Sequence, residues 1–200
     1  MPQLTRKRIA VAATITVALL AVALVVGGRA WVRGQNYLEA GSTSTPPAGA
    51  RLVPGDFPTI AVVRYRHGGR SAYGFSVRNH GPLAVKITEV AHLEAPGESD
   101  QLFRPVEVRM TRRDDFGSVA DVPFRPFTLG PGHERHFEVI GRFENCDRHL
   151  PGLSHVTRAQ QVRFQVLGQS LSEDVPLRTD NEWHYSRAAD CPRKAKQPGP

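Results

Sequence analysis

Cysteine is scarce in this 200-residue chain: it has two, Cys146 and Cys191, and no C-x-x-C. That excludes a thioredoxin-like redox motif, a cysteine-rich zinc module and a disulfide-dense mini-domain. The motifs G-x-S-x-G, S-x-x-K, H-E-x-x-H and the P-loop are all missing. The signatures of hydrolases built on those patterns and of phosphate-cradling loops are therefore absent. No acidic residue precedes Glu39, and no run of five or six basic residues occurs anywhere. The net charge of +7 owes three charges to Arg6, Lys7 and Arg8. Aromatic residues, at 8%, do not interleave with a basic stripe. A nucleic-acid surface needs a concentrated positive face, so no nucleic-acid partner is expected. These absences nominate no catalytic residue, cofactor, metal set or small-molecule substrate. The chain is expected not to be an enzyme.

What is present begins with an apolar run. Residues 9–28, IAVAATITVALLAVALVVGG, contain no charged side chain. Twenty helical residues at about 1.5 Å each span about 30 Å, the thickness of a bilayer core. The basic tip, residues 1–8, favours a cytoplasmic N-terminus, and Trp31 and Tyr37 suit a headgroup zone beyond the span. A transmembrane helix over 9–28 is therefore expected, with the remainder extracytoplasmic. The competing reading is a cleaved signal peptide, but its apolar core is usually shorter, and Val26-Gly27-Gly28 is only a passable cleavage site.

Residues 29–58, rich in Gly, Ser, Thr and Pro, read as a stalk, and residues 192–200 as a disordered basic tail. Residues 59–191 between them must supply the folded body. Helical spacing is not sustained there. Short alternating runs appear instead, broken by Gly, Pro, Asn and Asp. In SAYGFSVRN (71–79), Tyr73, Phe75 and Val77 share one face; in LAVKITEV (83–90), Leu83, Val85 and Ile87 do. Further runs lie at 59–66, 102–110, 124–129, 134–143, 161–168, 170–178 and 182–187. One polar face per strand points to antiparallel sheets packed face to face, an all-β sandwich of about seven to nine strands.

Two alternating strands joined through Asn79-His80-Gly81-Pro82, and a later FTLGPG turn (127–132), resemble the bacterial immunoglobulin-like and fibronectin-like sandwich domains found outside the membrane. Asn79 and Gly81 are residue types that tolerate positive φ at such a connection. The whole layout of basic tip, single span, Pro/Ser stalk, sandwich and two late cysteines is similar to small membrane-anchored proteins of actinobacteria. That resemblance implies a fold and an address, and no chemistry. The antibody-type signature, with Trp soon after the first Cys, is absent: Trp183 sits eight residues before Cys191, and both cysteines lie late in the chain.

In an extracytoplasmic chain, Cys146 and Cys191 read as one structural disulfide in preference to a redox pair. Closing a loop across their 45-residue separation stabilises by up to about 4 kcal/mol in the chain-entropy treatment. His133 and His136 are the closest of eight histidines, but i and i+3 on a strand face opposite ways. Asp147, His149 and His155 form a looser group near Cys146. A long connection over 110–124 carries Arg112, Arg113, Asp114, Asp115 and Phe116 and is the candidate binding loop, set against a plain solvated loop with Phe124 in the core. The function expected is a non-enzymatic binding or structural module of the cell envelope, its partners envelope or membrane proteins. The alternative is a metal- or small-ligand-binding sensor or chaperone domain.

Overall fold

The structure, a computed structural model, describes residues 19–20, 22–54, 59–91, 101–111, 120–150, 152–184 and 191. The chain divides into two compact units, Met1–Asn36 and Tyr37–Pro200. In the first, residues 22–33 are helical. Among the described residues no helix is long and apolar enough to cross a membrane. Residues 1–18 and 21, which carry most of the expected span, lie outside the described set, as does the tail 192–200.

The second unit is mostly β. Its strands are β1 (Leu38–Thr45), β2 (Arg51–Val53), β3 (Thr59–Arg64), β4 (Arg70–Asn79), β5 (Val85–Val90), β6 (Phe103–Met110), β7 (Val122–Pro123), β8 (Phe127–Leu129), β9 (Glu134–Phe143), β10 (Ser154–Val166) and β11 (Gln169–His184). One sheet has the order β1-β4-β9-β6-β7 and the other β2-β3-β11-β10-β5-β8. Pairing is antiparallel except for β3 on β11, which is parallel, so the second sheet is mixed.

The two-residue period places the core as expected. β5 buries Val85 and Ile87 and exposes Lys86; β10 buries Val162, Phe164 and Val166 and exposes Gln161 and Arg163. Each such side chain, fully buried, contributes about 1.5–3 kcal/mol. The strands number eleven among the described residues, above the expected seven to nine. β2, β7 and β8 have only two or three residues, too few to show a period. The runs at 170–178 and 182–187 fuse into one strand, β11, which ends at His184 among the described residues.

The stalk reading needs correction. The folded unit starts at Tyr37, and β1 and β2 come from the segment whose composition suggests a flexible linker. The reason is long-range pairing of small polar side chains. β1 bulges between Ala40 and Ser44 over the outer face of β4. There the Thr43 N–H donates to Ser76 Oγ at 2.9 Å, and Ser76 Oγ donates to the Thr43 carbonyl at 3.0 Å. The Ser42 N–H and hydroxyl both donate to Glu134 Oε1 at 2.7 Å. Gly41 permits this approach, because a Cβ there would collide with Ser76 and Glu134. Ser76 is buried for the same reason, although it points away from the core.

The connection at residues 79–82 also works differently from its sequence reading. Neither Asn79 nor Gly81 adopts a positive φ. Asn79 is fully buried; its amide donates to the carbonyls of Leu83 (2.8 Å) and Leu129 (2.9 Å), and its Oδ1 accepts the Gly81 N–H at 3.0 Å. Gly81 is needed because the Tyr37 ring lies where a Cβ would sit. Glu173 closes the same end, its two oxygens accepting the N–H groups of Tyr37 (2.9 Å) and Leu38 (2.6 Å).

This Tyr37–Asn79 end is one of two. β4 runs from Arg70 to Asn79, ten residues, or about 30 Å at about 3.3 Å per residue. The other end holds the β3–β4 turn, whose Gly68 N–H donates to the Phe143 carbonyl, and Cys146 just beyond β9. It is the end remote from where the chain enters the sandwich.

Candidate functional site

The remote end is built on aromatic rings. Trp183 is fully buried and stacks on Phe103 with centroids 4.1 Å apart; Phe143 and Tyr73 pack on both. Tyr65 extends the cluster, 5.2 Å from Phe143. The Trp183 indole N–H donates to Thr157 Oγ1 at 3.1 Å, which satisfies the one polar atom of that ring.

A cleft of about 410 Å³ opens beside this cluster, between Tyr73 on β4, Phe103 and Pro105 on β6, and residues 155–161 of β10. Its position follows from a break in register. Thr157 pairs with Asn181, but Ala159 pairs with Pro176, so residues 177–180 of β11 lie opposite Arg158 alone. Such a bulge bends the strand and re-aims its side chains. In the cleft wall Tyr73 Oη donates to Gln160 Oε1 at 2.6 Å, and burial raises the Tyr73 pKa, so the hydroxyl stays neutral. Burial also lowers the pKa of His155, and the nearby His149 lowers it further. The imidazole, the amides of Gln101 and Gln160 and the ring faces can hold a small planar group by hydrogen bonds and stacking, in a lining that also includes the charged Arg158 and Asp174. They supply no activated nucleophile.

A second cluster lies beyond the disulfide. Cys146 and Cys191 are bonded, their Cα atoms 5.7 Å apart. Cys146 is 2% exposed, and His67 in the β3–β4 turn reaches it: His67 Nδ1 lies 3.3 Å from Cys146 Sγ and 2.9 Å from Tyr65 Oη. Glu144, between β9 and Cys146, is gripped by Arg104 through two bonds of 2.8 and 2.9 Å. Those bonds, helped by the positive charge of Arg104 and Arg142, hold its carboxyl below the usual glutamate range despite partial burial.

A third group, Ser154, Glu182 and His184, has the residue types of a hydrolytic triad but the wrong geometry. The Ser154 hydroxyl donates to Glu182 Oε1 at 2.6 Å, so His184 Nδ1, 2.8 Å from the same Oγ, faces an oxygen whose proton is already committed. The carboxylate is also nearest that same nitrogen, at 4.0 Å. A working triad needs the imidazole as acceptor, with the acid on the opposite nitrogen.

The two cysteines come together, while Arg112, Arg113, Asp114, Asp115 and Phe116 lie outside the described residues. Phe124 is half-buried, 6.3 Å from the Phe137 ring. His133 sits in the turn before β9, whereas His136 is covered by β1, its Nδ1 3.1 Å from Thr43 Oγ1 and its pKa lowered by burial. Among the described residues no three His, Cys, Asp or Glu side chains gather as a metal set. Sequence reading missed His67 and the cleft. His67 lies 79 residues from Cys146, and the only local signal is a turn-like His67-Gly68-Gly69. The bulge at Arg158 leaves no trace in composition.

No family model matches the chain, and no curated protein matches it significantly. Among solved structures it is similar to the Vibrio cholerae VesB protease, with a TM-score of 0.36 and 15% identity over 78% of this chain and 34% of that one. It is also similar to a family 123 glycoside hydrolase from Clostridium perfringens, with a TM-score of 0.35 and 8% identity over 73% of this chain and 26% of that one. The chain thus spans about a third and about a quarter of these two structures. At such values neither transfers a fold or an activity.

Proposed function

We propose that the chain is a single-pass, membrane-anchored protein whose extracytoplasmic immunoglobulin-like sandwich acts as a non-enzymatic binding module of the cell envelope. The strand order carries the fold part of this reading. β1-β4-β9-β6 corresponds to an A-B-E-D sheet, and β11-β10-β5 to G-F-C, with β3 lying parallel on the last strand. The disulfide departs from the antibody pattern, since it joins the corner after β9 to the segment after β11. The uncharged run at residues 9–28 supports the anchor, and the basic tip supports a cytoplasmic N-terminus.

In this reading the partners are other envelope or membrane proteins, met by the end of the sandwich remote from Tyr37. The cleft beside Phe103 also gives support to the small-ligand form of the alternative, a sensor or chaperone domain. One experiment tests the address. Protease added to intact cells digests the sandwich from outside and leaves a small N-terminal membrane fragment. A sandwich untouched until the membrane is permeabilised refutes the reading. Proximity labelling from the C-terminus of the full chain then recovers envelope proteins; labelling confined to cytoplasmic proteins refutes the proposed role.

A further inference from the structure

We propose that the Cys146–Cys191 bond is a reducible disulfide whose leaving sulfur, Cys146, is held by His67. The inference rests on the arrangement around that bond and does not require the anchor.

The two sulfurs are unequal. Cys146 is 2% exposed and packed in the corner after β9, whereas Cys191 is half-buried. An incoming thiolate therefore reaches Cys191 first. His67 approaches the other sulfur, with Nδ1 3.3 Å from Cys146 Sγ. A disulfide sulfur carries no proton and can only accept, so a hydrogen bond here puts the proton on Nδ1. With the proton there, Tyr65 Oη, 2.9 Å from the same nitrogen on a fully buried ring, accepts that N–H as a second partner and orients the imidazole. His67 as a residue is exposed, in the turn between β3 and β4. Glu144 is the acidic group that feels His67, and its own charge is already engaged by Arg104 and Arg142.

The exchange balances as follows. A thiolate of a small thiol or a dithiol reductant attacks Cys191 Sγ and forms a mixed disulfide. The Cys146–Cys191 bond breaks, and its electron pair goes to Cys146 Sγ, where the His67 Nδ1–H stabilises the new thiolate. A second thiol of the reductant then attacks the mixed disulfide and releases Cys191 as a thiolate, and the reductant leaves oxidised. A leaving thiol of lower pKa departs faster, and an adjacent imidazole lowers thiol pKa. Reduction uncouples Cys191 from the corner that carries His67 and Glu144, beside the aromatic wall of the cleft.

The test uses the purified full-length chain in detergent. Equilibration against a dithiothreitol redox buffer compares wild type with His67→Gln. The variant is expected to make reduction about tenfold less favourable, about 30 mV for this two-electron couple. In a Cys191→Ser background, the pH profile of iodoacetamide capture at Cys146 moves upward by about one unit when His67 is replaced. Equal equilibrium constants and equal capture profiles in folded proteins overturn the proposal. A third measurement needs no variant: wild-type protein is briefly exposed to glutathione, alkylated and mapped by peptide mass spectrometry. Glutathione on Cys191 with Cys146 alkylated supports it; glutathione on Cys146, or shared equally, overturns it.

Discussion

The two ends of the sandwich handle their polar side chains in opposite ways. At the Tyr37 end the partners are backbone groups: Asn79 makes three bonds to main-chain atoms, and Glu173 accepts two main-chain N–H groups. At the Cys146 end most partners are other side chains: Arg104 with Glu144, Tyr65 with His67, His67 with Cys146, Tyr73 with Gln160, and Ser154 with Glu182, the bond from Asn145 to the Gln101 carbonyl being the exception. A side chain bonded to backbone fixes the path of the chain, and losing it undoes a connection. Side chains bonded to one another can exchange partners while the strands stay paired. The first arrangement suits the end where the chain enters the fold, the second an end that meets ligands or reductants.

The largest test asks whether the remote end still shares the common core. Trp183→Ala empties the ring stack against Phe103, Phe143 and Tyr73 and is expected to destabilise by about 4 kcal/mol in urea unfolding. A loss below about 1 kcal/mol would mean that the aromatic cluster is peripheral. Next comes the backbone-bonded end. Asn79→Ala strands the carbonyls of Leu83, part-buried, and Leu129, buried, and is expected to cost about 3 kcal/mol, without moving the disulfide equilibrium. If it shifts that equilibrium as well, the two ends are not independent.

These two residues also mark how much could be read from sequence. Alternation exposes the interior strands β5 and β10, because Val85, Ile87, Val162 and Phe164 each face a continuous core. Asn79 is visible as a turn former, though its use as a buried bonding hub is not, since Leu129 lies 50 residues away. β1 hides for the same reason: Ser42 meets Glu134 across 92 residues, and a Gly-Ser-Thr segment shows no period until that partner is known. The site suffers most. The two cysteines can be paired by counting, but His67 and the bulge at Arg158 acquire meaning only from contacts that the fold creates.

The side-chain pairs at the remote end yield a third test, through pH. Glu144 is held below its usual range, chiefly by the Arg104 hydrogen bonds, so the ionised form favours the fold. Glu144→Gln is expected to cost about 2 kcal/mol at pH 7. The gap should close as pH falls through the depressed native pKa, because the wild type then loses the same pairing. Asp180 has the opposite sign. Burial raises its pKa, only partly offset by Arg158, so its charge opposes folding at neutral pH. Wild-type protein regains that stability as pH falls through the raised native pKa, whereas Asp180→Asn does not. Parallel slopes for the two variants would break the argument.

The smallest expected effect is a gain, and it returns to the entry end. Leu167 and Gly168 form the two-residue turn between β10 and β11, since Val166 pairs with Gln169, and both have positive φ, 48° and 77°. A two-residue hairpin with both central residues left-handed favours Asn-Gly, because the short polar side chain tolerates that backbone. Leu167 is 76% exposed, so it contributes little packing to offset its strain. Leu167→Asn is therefore expected to stabilise by about 1 kcal/mol in urea unfolding. Because the turn lies near Glu173 and far from His67, the gain should leave the redox equilibrium unchanged. A loss of stability would mean that the exposed leucine is held by an intrachain contact that outweighs its backbone strain.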